Sequence, residues 1–160
     1  MIKTKLLKPI ALVFILFYVG AILFFALGNE YTVLNWFDND DAFYYFKVAQ
    51  NIGEGAGSSF DGISLTNGYH PLWMVICIPI FTLAKFDLIL PLRVVIVVSA
   101  LFHAGVSVLL FRLLYRIFNQ NFALIGAAYW AFSPVIIRPF FKGGLESALN
   151  AFFIVFLWEP

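Results

Sequence analysis

The chain has 160 residues and a net charge of +1; it is 62% hydrophobic and 19% aromatic, with only 12% charged residues, a balance far outside that of a soluble domain. That charge gives no footing for nucleic acid or a bulk acidic partner, and the single cysteine, Cys77, excludes an intrachain disulfide and a cysteine metal cluster. The composition predicts an all-α, polytopic integral membrane protein, with membrane lipids as its solvent.

The first element expected is a span over 9–27, an uncharged run close to the ~20 residues that cross a ~30 Å hydrocarbon core. Lys3, Lys5 and Lys8 precede it and place the amino terminus in the cytoplasm. Ala26-Leu27-Gly28 has the small residues of a signal-peptidase site, but the apolar run is long for a signal peptide, so a retained anchor is expected. The loop 28–69 then lies outside the cytoplasm. It carries Glu30, Asp38, Asp40, Asp41, Glu54 and Asp61 against the single Lys47, and its Gly/Ser cluster at 53–62 marks irregular chain.

The next apolar run, 71–84, is short for a span and contains Pro79, whereas 94–111 is a better one and ends on Arg112 and Arg116 beside Asn119-Gln120-Asn121. Short basic loops belong in the cytoplasm. That rule selects a single crossing, by 94–111, and makes 71–84 a juxtamembrane helix in the outer interface with Trp73 as an aromatic anchor. A span over 122–137 returns outward past Ser133-Pro134. A fourth begins at 148–158, where 11 residues make only ~16 Å of helix. Residues 1–160 are therefore expected to be the amino-terminal part of one larger helical domain, a fragment or truncated product that does not catalyse alone.

This topology brings Arg138, Lys142 and Glu146 to the same side as Asp40-Asp41. Adjacent carboxylates are costly beside a bilayer, so a task there is the expectation. Arg and Lys suit an anionic lipid-phosphate donor, and a carboxylate suits deprotonation of an acceptor hydroxyl. Plainer roles stand beside these. Asn39, Asp40 or Asp41 would cap a helix running to about residue 52. His70 would be an interfacial polar residue, and Glu146 a helix-starting acid paired with Lys142. Arg138 and Lys142, and with them Arg93, would snorkel to headgroups. Phe43 to Phe46 reads as an amphipathic face on the membrane, and His103 as a helix–helix hydrogen-bonding residue.

Four segments, Asp40-Asp41-Ala42-Phe43-Tyr44-Tyr45, Asn51-Ile52-Gly53-Glu54-Gly55, Thr66-Asn67-Gly68-Tyr69-His70-Pro71-Leu72-Trp73 and Gly144-Leu145-Glu146-Ser147-Ala148-Leu149, occur in an order that resembles the GT-C superfamily. The resemblance is to bacterial membrane glycosyltransferases that use polyprenyl-phosphate sugars, a group including protein O-mannosyltransferases and the aminoarabinose transferase of lipid A. It implies inverting sugar transfer to a glycan, lipid or protein acceptor at the outer face of the bacterial inner membrane. Asp40 would be the catalytic base and Asp41 the second acid. Tyr69, His70, Arg138, Lys142 and Glu146 would contact substrate, with His70-Pro71 near the donor phosphate. A magnesium or manganese ion bridging Asp40 and Glu146 is a further expectation. The competing reading is a small non-catalytic multispan protein, an accessory for assembly or lipid translocation. A transporter is the third, but no span interior offers a paired acid and base.

Overall fold

A computed structural model describes residues 19–158 together with 9, 12, 13, 16 and 17. Lys3, Lys5, Lys8 and part of the first expected span lie outside the described residues. The described chain is all-α, without a strand; an isolated bridge between Ser59 and Leu65 ties the long loop.

Side-chain caps set most helix starts. After a π-helical turn at Ile22–Ala26, α1 (Glu30–Leu34) begins where the Asn29 side chain accepts the Thr32 N–H at 2.9 Å. Helix α2 (Asp41–Gly53) starts as the Asn39 Oδ1 accepts the Asp41 N–H at 3.0 Å. It buries Ala42, Tyr45, Phe46 and Ala49, the spacing of one helical face. Tyr45 and Phe46 thus belong to the core, which corrects the expectation that the Phe43 to Phe46 cluster rests on the membrane; only Phe43 of that pattern is exposed.

The expected juxtamembrane helix is α3 (Pro71–Phe81), extended by a 3₁₀ turn at Thr82–Lys85. Pro71 suits a first turn, where its missing N–H is no loss. Pro79 sits near the other end, where the helix tightens into the 3₁₀ turn and the Thr82 hydroxyl donates to the Pro79 carbonyl at 2.6 Å. Asp87 Oδ1 then accepts the N–H groups of Ile89 and Leu90 and launches α4 (Leu90–Ile117), 28 residues long and wider at both ends than the expected 94–111.

Asn119 Oδ1 accepts the N–H groups of Asn121 and Phe122 at the start of α5 (Gln120–Phe132). Ser133-Pro134 interrupts the next expected span, 122–137: the chain restarts as α6 (Pro134–Ile137), continues as a π-helical turn over Arg138–Lys142, and bends by 53°. After Gly143-Gly144 comes α7 (Ser147–Leu157).

Helix α4 is the central element, packed by α5, α7 and both π-turns, while α2 packs on α3. Among the described residues, α4 alone is by length and composition long and apolar enough to cross a membrane, and α5 with α6 and its π-turn qualifies only as a bent pair; α3 with its 3₁₀ turn and α7 are shorter. The Arg93 guanidinium donates to the Ala26 carbonyl, which sets the start of α4 beside the end of the first helical segment. At 1.5 Å per residue, Arg112 and Arg116 lie ~30 Å away along the same helix. His103, midway, is buried and stacked on Trp130 and Phe141 with ring centroids 5.3 and 5.6 Å away, and its carbonyl accepts the Trp130 indole N–H.

Candidate functional site

At the Arg93 end of α4, the loop between the first helical segment and α3 meets the loop between α6 and α7. The joint is made of close backbone contacts: the Asp38 N–H donates to the Lys142 carbonyl at 3.2 Å, and the buried Trp73 indole N–H donates to the Gly144 carbonyl at 3.1 Å. Trp73 is thus an interior donor, 1% exposed, and not the interfacial anchor expected of it. Gly144 has φ of 68°, and a Cβ there would stand 2.7 Å from the Phe37 ring and 2.8 Å from the Ala42 Cβ. Only glycine lets the second loop lie this close to the first turn of α2.

Two charged clusters flank the joint. In the first, Asp38 receives Lys142 Nζ at 2.9 Å and Arg138 Nε at 3.2 Å, and Lys142 also lies over the Trp36 ring at 5.5 Å. The Lys142 hydrogen bond, aided by Arg138 and opposed by partial burial, holds the Asp38 carboxyl below the usual carboxylate range. Arg138 and Lys142, expected to meet an anionic ligand, are therefore already engaged by an acid that sequence reasoning did not single out. Two cations on one carboxylate still leave one positive charge.

In the second cluster, His70 Nδ1 lies 3.1 Å from Glu146 Oε1 and 2.8 Å from the Tyr45 hydroxyl, and the His70 backbone N–H donates to that hydroxyl at 3.2 Å. The His70 side chain is 62% exposed and that of Glu146 14%. Burial pushes the Tyr45 phenol up; the His70 N–H opposes this, and the charges of Glu146 and Asp41 add to it. Tyr45 is therefore a neutral phenol at any physiological pH.

The remaining expected site residues divide. Asp41 bears on Tyr45 through its charge and occupies the first turn of α2. Asp40 is exposed at the N-cap, yet its carboxylate makes no cap bond; Asn39 does the capping. Tyr69 packs edge-on to Tyr45 with ring centroids 6.5 Å apart, and its hydroxyl, 2.7 Å from Ser58 Oγ, pins the long loop. Asp61 is likewise used within that loop, accepting the N–H groups of Ile63 and Ser64, which hold its carboxyl below the usual range.

The donor set does not fit the cation expected between Asp40 and Glu146. Glu146 Oε1 is committed to His70, Oε2 is buried, and among the described residues no three His, Cys, Asp or Glu side chains converge. Divalent magnesium or manganese sites need several oxygens around one point.

Two hollows adjoin the Asp38 cluster. One, of about 540 Å³, is apolar, walled by Phe17, Phe24, Phe25, Trp36 and Phe141 and ending at Lys142. The other, of about 460 Å³, is more polar and includes Asp38, Asn39, Arg138 and Ser147. They share no lining residue; the Asp38–Arg138–Lys142 cluster stands between them, with Lys142 on the first and Asp38 and Arg138 on the second. Comparison with family models, curated proteins and solved structures returned no match.

Neutralising Asp38 is expected to matter in a pH-dependent way. Its folded-state carboxyl is held low, so its contribution to stability is present above the ordinary value of ~3.9 and is lost as pH falls through the lowered one. Asp38→Asn should cost about 1 kcal/mol at neutral pH, modest because the pair is partly solvated. Unfolding curves of the two proteins should converge as pH falls through and below the ordinary carboxylate range. A constant gap across that range would mean the pair contributes through packing and not charge.

Proposed function

We propose that the chain belongs to a polytopic membrane glycosyltransferase that takes its sugar from a polyprenyl-phosphate donor. In this reading the amino terminus is cytoplasmic, α4 and the bent pair of α5 and α6 cross the bacterial inner membrane, and α3 lies at its outer face. The observation that carries the reading is the joint between the two loops: the loop with the carboxylate pair meets a net-positive Asp38–Arg138–Lys142 cluster, and an apolar hollow ends at Lys142. Arg112 and Arg116, at the other end of α4, accord with the charge asymmetry of a membrane protein.

Each part has a chemical task. The apolar hollow accepts an apolar chain and the cluster at its Lys142 end the phosphate, whose negative charge grows as the sugar leaves. Asp40, exposed and free of a capping role, takes the proton of the acceptor hydroxyl. The acceptor oxygen then bonds to the anomeric carbon as the carbon–oxygen bond to phosphate breaks, and the electron pair leaves with the lipid phosphate. Asp41 holds the helix start and adds negative charge beside the developing positive sugar. The acceptor is a glycan, lipid or protein hydroxyl. The resemblance of the four sequence segments to GT-C enzymes supports the same assignment, and the alternative of a non-catalytic accessory protein leaves the free carboxylate of Asp40 without a role.

The test is sugar transfer by the whole protein to which this chain belongs, in lipid vesicles supplied with a labelled polyprenyl-phosphate sugar and a mixed acceptor extract. Wild type should transfer, and Asp40→Asn should lower kcat by about 10²-fold or more. Turnover unchanged in the variant removes Asp40 from the mechanism, and no transfer by wild type removes the reading.

A further inference from the structure

We propose that Glu146 and Tyr45 are positioning residues for His70: they hold its imidazole with the proton on Nδ1 and leave Nε2 as a hydrogen-bond acceptor for a substrate hydroxyl. The substrate part of this proposal rests on the transferase reading above. The ring geometry does not.

His70 Nδ1 faces two oxygens at once, Glu146 Oε1 at 3.1 Å and the Tyr45 hydroxyl at 2.8 Å. A carboxylate oxygen is an acceptor only, so a bare Nδ1 would set two lone pairs against each other. A proton on Nδ1 satisfies the contact. Tyr45 is compatible with this because its oxygen already accepts the His70 backbone N–H and its own proton rotates about the phenol bond. Glu146 is held on this side by its mostly buried side chain and by its place at the N-cap of α7, where negative charge is favoured, while the Gly144 contact with Phe37 and Ala42 fixes the loop just before it.

With Nδ1 occupied, a neutral imidazole presents Nε2 as a lone pair on its exposed side. A lone pair is repelled by phosphate oxygens and satisfied by a hydroxyl. The geometry therefore gives His70 a hydroxyl to read, on the sugar or the acceptor, and leaves phosphate to Arg138 and Lys142. It also gives Glu146 a role through His70, in place of contact with substrate or metal. A buried carboxylate that orients a histidine through one ring nitrogen while the other works is a general arrangement.

The chain has only two histidines, His70 and His103, so a ¹⁵N spectrum of histidine-labelled full chain in detergent at pH 8.5 resolves each ring nitrogen after one variant, His70→Gln, assigns the signals. Wild-type His70 is expected to show protonated Nδ1 and bare Nε2. Glu146→Gln, which keeps an acceptor oxygen, should retain that tautomer; Glu146→Met should shift it to Nε2–H as the Tyr45 hydroxyl donates to Nδ1, and Tyr45→Phe, with the carboxylate in place, should keep Nδ1–H. A wild-type Nε2–H tautomer overturns the proposal, as does a Glu146→Gln spectrum like that of Glu146→Met. In the transfer assay Glu146→Met should raise KM for the sugar donor or the acceptor about tenfold with kcat within about threefold, the loss of one hydrogen bond, while Glu146→Gln stays near wild type. If Glu146→Met instead lowers kcat with KM unchanged, the hydroxyl-reading role is overturned. If wild type transfers no sugar the transferase reading fails, and the spectrum still decides the positioning of His70.

Discussion

Gly144→Ala is expected to destabilise the chain by about 2–5 kcal/mol, a combination of left-handed backbone strain on a residue with a Cβ and of overpacking. At φ of 68° the backbone is already costly for alanine, and the new methyl would approach the Phe37 ring at 2.7 Å and the Ala42 Cβ at 2.8 Å. Neither neighbour yields easily. Ala42 is fully buried in α2, and Phe37 packs edge-to-face against both Phe43 and Phe46. The loop must therefore withdraw, taking Glu146 from His70 and loosening Lys142 from Asp38. Chemical unfolding in detergent, followed by helix content, should show the loss, and the His70 ring should lose its Nδ1–H preference in the same variant. A fully stable Gly144→Ala protein with an unchanged His70 spectrum would mean that the two loops are joined by something other than this contact.

The consequences spread because the site is a joint and not a single element. Asp38, Tyr45, His70, Arg138, Lys142 and Glu146 come from two segments about 70 or more residues apart, and each contact crosses between segments or holds one against α3. Helices, by contrast, were legible in the chain, and of their caps Asn39 was offered there beside Asp40 and Asp41. Asn29, Asn39, Asp87 and Asn119 each stand ahead of a helix and each caps it, because capping depends on a side chain and the next two or three N–H groups alone. The bend after α5 was also written locally, in Ser133-Pro134, although its reading as an uninterrupted run hid it.

Pairing across the joint was not legible to the same degree. Arg138, Lys142 and Glu146 were picked by charge and placed with the acidic loop by topology, and the structure does bring them to that loop. Their partners were another matter: Asp38 and Tyr45, not Asp40, receive or flank them. Nothing periodic distinguishes Asp38 from Asp40, two residues on. The difference is made by the chain turning at Asn39, which aims one carboxylate at the second loop and leaves the other in the open. Aromatic residues gave the opposite error. Trp73 near an expected interface and Phe46 in an aromatic run carry the composition of a membrane belt, yet both are core, since a large ring fills an interior as readily as it lines an interface.

Trp73→Ala should cost about 3–5 kcal/mol, the largest of the side-chain truncations, for a fully buried ring loses both its packing and its hydrogen bond. Trp73→Phe separates the two losses. Phenylalanine retains much of the ring against its neighbours but has no N–H, so the Gly144 carbonyl is left buried without its 3.1 Å donor at a cost of about 1–3 kcal/mol. For a chain of this size the alanine variant should melt roughly 10 °C below wild type and the phenylalanine variant about half as far. The two joints should also be coupled: once Gly144→Ala has drawn the loop away, the Trp73 donor has no carbonyl to meet, and Trp73→Phe should cost at least about 1 kcal/mol less than in wild type. Additive effects would place the Trp73 indole in the core for its volume alone, and would make the closeness of the two loops a matter of glycine geometry without help from α3.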